Sequence, residues 1–389
     1  MRSISNSIRH RFPRSYGWLK SQCQRFFSKK QEENYPIDFV VTWVDGSDIE
    51  WQRSKALYAE KEKKIDEQSN SAARYRDWDL MRYWFRAVEE NAPWVRKVFF
   101  VTCGQKPEWL NLDSEKLVFI THDEFIPPQY LPTFNSGTIE LNLWRIPDLS
   151  EHFVYFNDDQ FINRPLLPSD FFENGLPKLC ALAIPFRFHK KRENQWWLRT
   201  LLNDIGVIND TFDIWEVTRT YPEKFFSYIY SRENQYNYRI SEDQYLTGMY
   251  HNHSVQIFLK SVFSEIWEQE FSILDRTCLF KFRNETRVNI FLVTLWQIFK
   301  GSFVPVEKNY FGGYVQLKGD CMPLVNEALQ SDSRIVCLND NEEMDLESEE
   351  TIHQFREKLH EAMQAKYPKR SSFEIEPAAK KNMMDQIES

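Results

Sequence analysis

The sequence predicts an α/β fold: a Rossmann-like, mostly parallel sheet with a mainly helical insertion or second lobe. Three observations predict it. Short apolar, β-branched runs recur at 37–44, 98–102, 117–121 and 153–156. Segments with apolar residues at helical spacing lie between them, an alternation that gives parallel strands covered on both faces. Beyond residue 180 the strands give way to aromatic and charged residues at helical spacing, as in Trp196-Trp197-Leu198 and Phe225-Phe226.

The elements follow in order. In the first thirty residues Arg2, Arg9, Arg11, Arg14, Lys20, Arg25, Lys29 and Lys30 meet no acid before Glu32, and Trp18, Leu19, Phe26 and Phe27 are interleaved with them. Such a segment lies on an anionic membrane surface or is a disordered basic tail. It lacks the apolar core of a secretion signal. Order begins near Tyr35. IDFVVTWV (37–44) reads as a buried strand, broken by the turn Asp45-Gly46-Ser47-Asp48. Residues 50–64 are helical in composition. Asp77 is expected to cap a helix with Leu80, Met81, Trp84, Phe85 and Val88 on one side, ended by Pro93. After two strands, Asn135 or Ser136 caps a helix with Ile139, Leu143 and Ile146 on one face. Short strands return at 303–304 and 335–338, and 348–366 is a charged amphipathic helix. The divisions are a basic segment 1–34, an α/β core 35–180, a mainly helical lobe 181–300, a return to the core at 301–376, and a loose tail 377–389.

The 389 residues, 42% hydrophobic, suffice for one large core or two linked ones. Lys and Arg total 49 against 57 Asp and Glu, a net charge of −8, which argues against a nucleic-acid binder. The six cysteines, at 23, 103, 180, 278, 321 and 337, form no CxxC pair. Free thiols in a reducing compartment are expected. No apolar run approaches the roughly 20 residues of a membrane span.

Two predicted strands end in acid: VVTWVDGSD, with Asp45 and Asp48, and VYFNDD, with Asp158 and Asp159. Ligands of open α/β sheets sit at the carboxyl ends of strands. Adjacent carboxylates repel unless a cation or donors compensate them, and Mg²⁺ is usually held by one or two carboxylates plus substrate phosphates. A metal–diphosphate site is one reading, a solvated turn with a helix cap the other. Arg82 and Arg86, four apart on a helix, could hold a phosphate or pair with Asp79, Glu89 and Glu90. His251 and His253 fall on one face of an extended segment, as metal ligands or as one catalytic imidazole beside a structural one.

These residues sit in segments that resemble the Stealth family of sugar-phosphate transferases. Four blocks carry the resemblance. The first is like IDFVVTWVDGSD (37–48). The second covers RYRDWDLMRYWFRAVEENAPWVRKVFFVTCGQKPEWLNLD (74–113), THDEFIP (121–127) and LPTFNSGTIELNLWRIPDLSEHFVYFNDDQFI (131–162). The third is like HNHSVQIFLKSVF (251–263) with TCLFKFRNETRVN (277–289), and the fourth like IVCLNDN (335–341) with YPKRSSFE (367–374). The resemblance spans roughly 37–374, with few matching positions in 165–250.

The resemblance implies a GT-A-like nucleotide-binding core and transfer of a sugar-1-phosphate from a UDP-sugar to a hydroxyl of a polysaccharide acceptor, with Mg²⁺ or Mn²⁺ and release of UMP. It implies metal and diphosphate contacts for Asp158 and Asp159, an acid–base role for His253, and charge neutralisation by Arg283. It implies nucleotide-side contacts for Trp43, Asp45, Gly46 and Asp48, and pocket positions for Arg82, Arg86, Asn135, Ser136 and Glu140. Asn339 and Asp340 match the fourth block, in a binding or a structural role. One departure stands out: Asn252 precedes His253 where the family often has Pro, which leaves His251 and His253 both open. The alternatives are a glycosyltransferase releasing UDP and a non-catalytic sugar-nucleotide-binding protein. The bacterial cytoplasm is the expected compartment, since the sequons at Asn252 and Asn284 fall inside the third block, where a glycan would obstruct it. Peripheral contact with the inner face of the membrane and a homo-oligomer are left open.

Overall fold

The structure, a computed structural model, describes residues 35–62, 65, 70–188, 195–285 and 287–376. The basic segment 1–34 and the tail 377–389 lie outside the described residues.

Single-turn helices aside, the chain runs β1 (Ile37–Thr42), α1 (Ile49–Ala59), α2 (Met81–Asn91), β2 (Val98–Thr102), β3 (Leu117–Thr121), α3 (Ser136–Asn142), β4 (His152–Phe156), β5 (Gln160–Ile162), β6 (Phe172–Glu173) and β7 (Leu176–Leu179). The helical lobe holds α4 (Trp196–Thr211), α5 (Ile214–Thr220), α6 (Asn234–Asp243), β8 (Gln256–Leu259), α7 (Lys260–Gln269), α8 (Phe271–Leu279) and α9 (Phe291–Phe299). The return comprises β9 (Val304–Pro305), β10 (Gly312–Leu317), α10 (Met322–Gln330), β11 (Ile335–Asp340) and α11 (Glu349–Lys366).

The main sheet has the order β3-β2-β1-β4-β8, with the first four strands parallel and β8 antiparallel to β4. Phe39, Val40, Val41, Val98, Phe99, Phe100 and Val101 are fully buried, as expected of central parallel strands covered on both sides. The order runs outward from β1 in both directions, so β1 and β4 flank the topological switch point where such sheets bind ligands. A second sheet, β10-β11-β5, lies alongside, with β10 and β11 parallel and β5 antiparallel to β11. Residues 157–159 are therefore the turn by which the chain leaves one sheet and enters the other. A third sheet joins β6, β7 and β9.

Several expectations shift. The helix after the first turn stops at Ala59, and Asp77 caps nothing: α2 begins at Met81, and the Asp77 carboxylate accepts from the Asp79 N–H at 2.7 Å. Asn135 is the cap of α3, accepting from the Gly137 N–H at 3.2 Å. Within the segment 181–300, read as mainly helical, β8 joins the main sheet. β10 went unread in the sequence because Gly312-Gly313 and a half-exposed Tyr314 hide its alternation at a sheet edge.

Candidate active site

A cleft of about 340 Å³ opens at the carboxyl ends of β1 and β4. Its floor is the 157–159 turn. Asp159 is fixed from β11 of the second sheet: its carbonyl accepts the Leu338 N–H at 2.8 Å, and its Oδ2 accepts Asn339 Nδ2 at 2.8 Å. Cys337 and Asn339 lie two apart on β11, hence on one face, and the Cys337 thiol also bonds Asp159.

His253 arrives by register. β8 pairs with β4 up to Tyr155↔Gln256, and the two chains continue from there toward Asp158 and His253. His253 Nε2 lies 3.1 Å from Asp159 Oδ2. His251 instead sets its ring edge-on to Phe291, with centroids 4.7 Å apart.

Arg283 comes from the loop before α9. Asn203 and Asp204 of α4 hold that loop: Asn203 Nδ2 donates to the Glu285 and Arg287 carbonyls at 2.9 and 2.8 Å, and Asp204 accepts the Asn289 N–H at 3.0 Å. The guanidinium reaches the cleft over the Tyr75 ring and donates from Nε to Ser136 Oγ at 3.2 Å. Glu140, one helical turn beyond Ser136, lines the same wall.

The electrostatics follow from crowding four aspartates into this cleft. Burial raises the Asp158 pKa, helped by the charges of Asp159 and Asp77. Burial likewise lifts Asp77 to about 6, and lifts Asp340 to about 6 despite its 2.7 Å ion pair with Arg76. Asp159 differs. Burial pushes it up, but His253, Asn339 and Cys337 together bring it below its ordinary value. For His253, burial lowers the pKa and the Asp159 carboxylate more than restores it, so the net shift is upward. Both groups keep a solvent-facing edge, with side chains 35% and 17% exposed.

The donor set fits a divalent cation. Asp159 Oδ1 is buried with no hydrogen-bond partner among the described residues, and the Asp158 carboxylate is adjacent in the chain. Two hard carboxylates on the floor of a switch-point cleft suit Mg²⁺ or Mn²⁺.

Of the candidate site residues read from the sequence, Trp43, Ser136, Glu140, Asp158, Asp159, His251, His253, Arg283, Asn339 and Asp340 line this cleft. The others do not. Asp45 accepts the Ser47 N–H and Oγ–H at 2.8 and 2.6 Å, and Asp48 caps α1 through the Glu50 and Trp51 N–H groups. Gly46 is glycine because a Cβ there would lie 2.1 Å from the Tyr75 carbonyl oxygen. Asn135 is fully buried as a helix cap. The expectation that Arg82 and Arg86 hold a phosphate is not met by their placement. The apolar face of α2 covers the sheet and turns both arginines toward the C-terminal segment. There Arg86 grips Glu374, and Arg82 lies over Trp109, 3.8 Å from the same carboxylate.

The sequence reading missed Arg74, Tyr75, Arg76, Asp77, Cys103, His122, Arg287 and Cys337 as cleft or near-cleft residues. The alternation Arg74-Tyr75-Arg76-Asp77 carried a signal, since period-2 spacing sets the two arginines on one face of an extended segment. Buried Cys337 carried none.

The model of Stealth conserved region 1 matches residues 35–63, and that of conserved region 2 matches residues 74–179. The chain is 40% identical over 338 residues to the capsular polysaccharide phosphotransferase WcwK of Streptococcus pneumoniae, covering 87% of this chain and 98% of that protein. It is 38% identical over 346 residues to the receptor polysaccharide phosphotransferase WefC of Streptococcus oralis, covering 87% and 99%. It is 35% identical over 341 residues to the exopolysaccharide phosphotransferase cps2G of Lactiplantibacillus plantarum, covering 87% and 96%. Among solved structures the galactosyltransferase LgtC covers 82% of this chain and 95% of its own at 11% identity, with a TM-score of 0.33, too slight a likeness to bear on the argument. With full-length relatives of one kind and both family regions matched in order, the chain belongs to the Stealth family of phosphotransferases.

Proposed function

We propose that the protein transfers a sugar-1-phosphate from a UDP-sugar to a hydroxyl of a growing cell-surface polysaccharide, forming a phosphodiester and releasing UMP. The observation that carries this is the His253–Asp159 pair at the floor of the switch-point cleft, with Arg283 on its wall. An imidazole tied to a carboxylate suits proton abstraction from an alcohol, and a guanidinium suits the charge of a phosphoryl group.

Asp159 is held ionised, so His253 Nε2 carries the hydrogen that faces it, and Nδ1 is left with the lone pair. That lone pair takes the acceptor hydroxyl proton. The acceptor oxygen bonds the phosphorus next to the sugar, the bridging P–O bond breaks, and UMP leaves with the bridging oxygen. Arg283 neutralises the non-bridging oxygens of the transferring group. Asp158 and the free Oδ1 of Asp159 would hold Mg²⁺ or Mn²⁺, which when bound supplies charge neutralisation on the diphosphate. Asp159 thus serves two partners, one through each carboxylate oxygen.

The WcwK, WefC and cps2G names point to a polysaccharide acceptor, and no described helix is long and apolar enough to cross a membrane. We place the enzyme in a bacterial cytoplasm, at the inner face of the membrane. The test is incubation with UDP-sugars, Mg²⁺ and capsule fragments, followed by ³¹P NMR and identification of the nucleotide product. A new phosphodiester with UMP is expected. UDP in place of UMP would mean sugar transfer and overturn the proposal.

A further inference from the structure

The thiol of Cys337 has no part in the chemistry above, yet it faces that chemistry directly. Asp159, His253 and Cys337 each offer a ligand atom, and these atoms lie within 4.8 Å of one another. One edge of the triangle, His253 Nε2 to Asp159 Oδ2, is 3.1 Å. A tetrahedral zinc with ligand bonds of about 2.0–2.3 Å sets its ligands roughly 3.3–3.8 Å apart. One edge is near that spacing, and the others need at most about 1 Å of closure. Nitrogen, sulfur and one carboxylate oxygen, with a fourth side facing the cleft, is a donor set for Zn²⁺ and not for Mg²⁺, which demands oxygen.

The three residues are rigidly based. Cys337 is in register with Gln160 on paired strands, Asp159 is anchored by the Leu338 N–H, and His253 is two residues from buried Val255 at the head of β8. We propose that Asp159, His253 and Cys337 form a site for a thiophilic divalent ion such as Zn²⁺, and that its occupation switches the reaction centre off. On binding, the Cys337 thiol releases one proton to solvent. His253 must present its Nε2 lone pair, so its ring hydrogen moves to Nδ1, where it blocks the acceptance of an acceptor proton. The ion also takes Asp159 from its other partners. The switching rests on the reading of His253 as base; the site itself rests only on the three ligands.

The test uses the full chain, freed of metal by chelation and without any donor. Co²⁺ is followed by absorption, and Zn²⁺ by competition with a chromophoric chelator. One equivalent of Co²⁺ is expected to give a thiolate charge-transfer band. Cys337→Ser is expected to lose the band and to weaken Zn²⁺ binding by at least about 100-fold, since even changes to outer-shell partners cost 10–100-fold. His253→Gln should weaken binding similarly. A band that survives C337S, or Zn²⁺ affinity unchanged in both variants, overturns the site. Should C337S not fold, unchanged affinity in H253Q overturns it alone. Zn²⁺ that binds here yet leaves phosphotransfer in excess Mg²⁺ unslowed overturns the switch, and leaves both the site and the proposed function standing.

Discussion

Arg86 holds Glu374 with two parallel hydrogen bonds, Nε to Oε1 at 2.8 Å and Nη2 to Oε2 at 2.9 Å, between positions 288 residues apart in the chain. Both side chains are buried, 6% and 3% exposed. Removing Arg86 leaves the buried Glu374 carboxylate with only the looser Arg82 and Arg370 contacts at 3.8 Å, and removing Glu374 leaves the buried guanidinium with neutral partners only. Arg86→Ala and Glu374→Ala are each expected to cost about 3–5 kcal/mol of stability, read by urea denaturation. Glu374 has its pKa held below the ordinary value, because Arg86 outweighs burial. Its contribution is therefore present above the unfolded carboxylate pKa and is lost as pH falls through the lower folded one. An R86A protein of normal stability with a raised KM for donor would restore the phosphate-binding role that the fold denies this residue.

His253 and His251 separate cleanly by substitution. His253→Ala is expected to lower kcat by about 10²–10⁴-fold, the usual contribution of a positioned acid–base group. His251→Ala, which removes a ring packed on Phe291, should cost less than about tenfold. Steady-state kinetics on purified, folded variants decides between them. The reverse order would move the base to His251.

The pH profile carries a sign. A base must be neutral to act, and Asp159 raises the His253 pKa above its ordinary value against the opposing pull of burial. The acidic limb of kcat/KM should therefore fall above ~6.5, the unperturbed imidazole value. Asn339→Ala withdraws a donor from Asp159 and leaves that carboxylate a stronger partner for His253. The limb should then move to higher pH, not lower. A wild-type limb well below the unperturbed value would contradict the pairing.

Divalent cations should stabilise the protein in a pH-dependent way. Asp77 and Asp340 titrate at about 6, and Asp158 well above its ordinary value, chiefly through burial. An acid whose folded pKa is raised costs stability as pH rises through the window from about 4 to about 6. A cation between Asp158 and Asp159 offsets that cost only once the carboxylates are ionised. The rise in Tm on adding Mg²⁺ should be small near pH ~5 and larger near pH ~7.5, by differential scanning fluorimetry. An equal rise at both values would place the ion elsewhere.

The central strands were legible because burial on both faces writes itself as uninterrupted Val, Ile and Phe, as in Phe39 to Val41 and Phe99 to Val101. The acidic pair was legible as a strand end. What remained hidden depended on tertiary pairing. Nothing local says that β5 belongs to a different sheet from β4, or that Cys337 and Asn339 meet Asp159 from another strand. Arg86 read as a pocket residue through the family resemblance, since i,i+4 arginines fit a phosphate or a helical ion pair alike, and only the C-terminal segment reveals Glu374. Asp77 read as a cap because it is an acid shortly ahead of an apolar run at helical spacing. The helix starts later, and the freed carboxylate joins the cleft.

The position of the acidic turn between two sheets bears on how the enzyme is made. The partners of Asp159 follow it in the chain by 94 residues for His253 and by 180 for Asn339. A nascent polypeptide emerging from the ribosome thus completes β1 to β4 long before either partner exists, and its two aspartates wait in water, unpaired. The shell around Asp159 is complete only once β11 has been made and closes against β5, so a chain cut short before residue 335 lacks it.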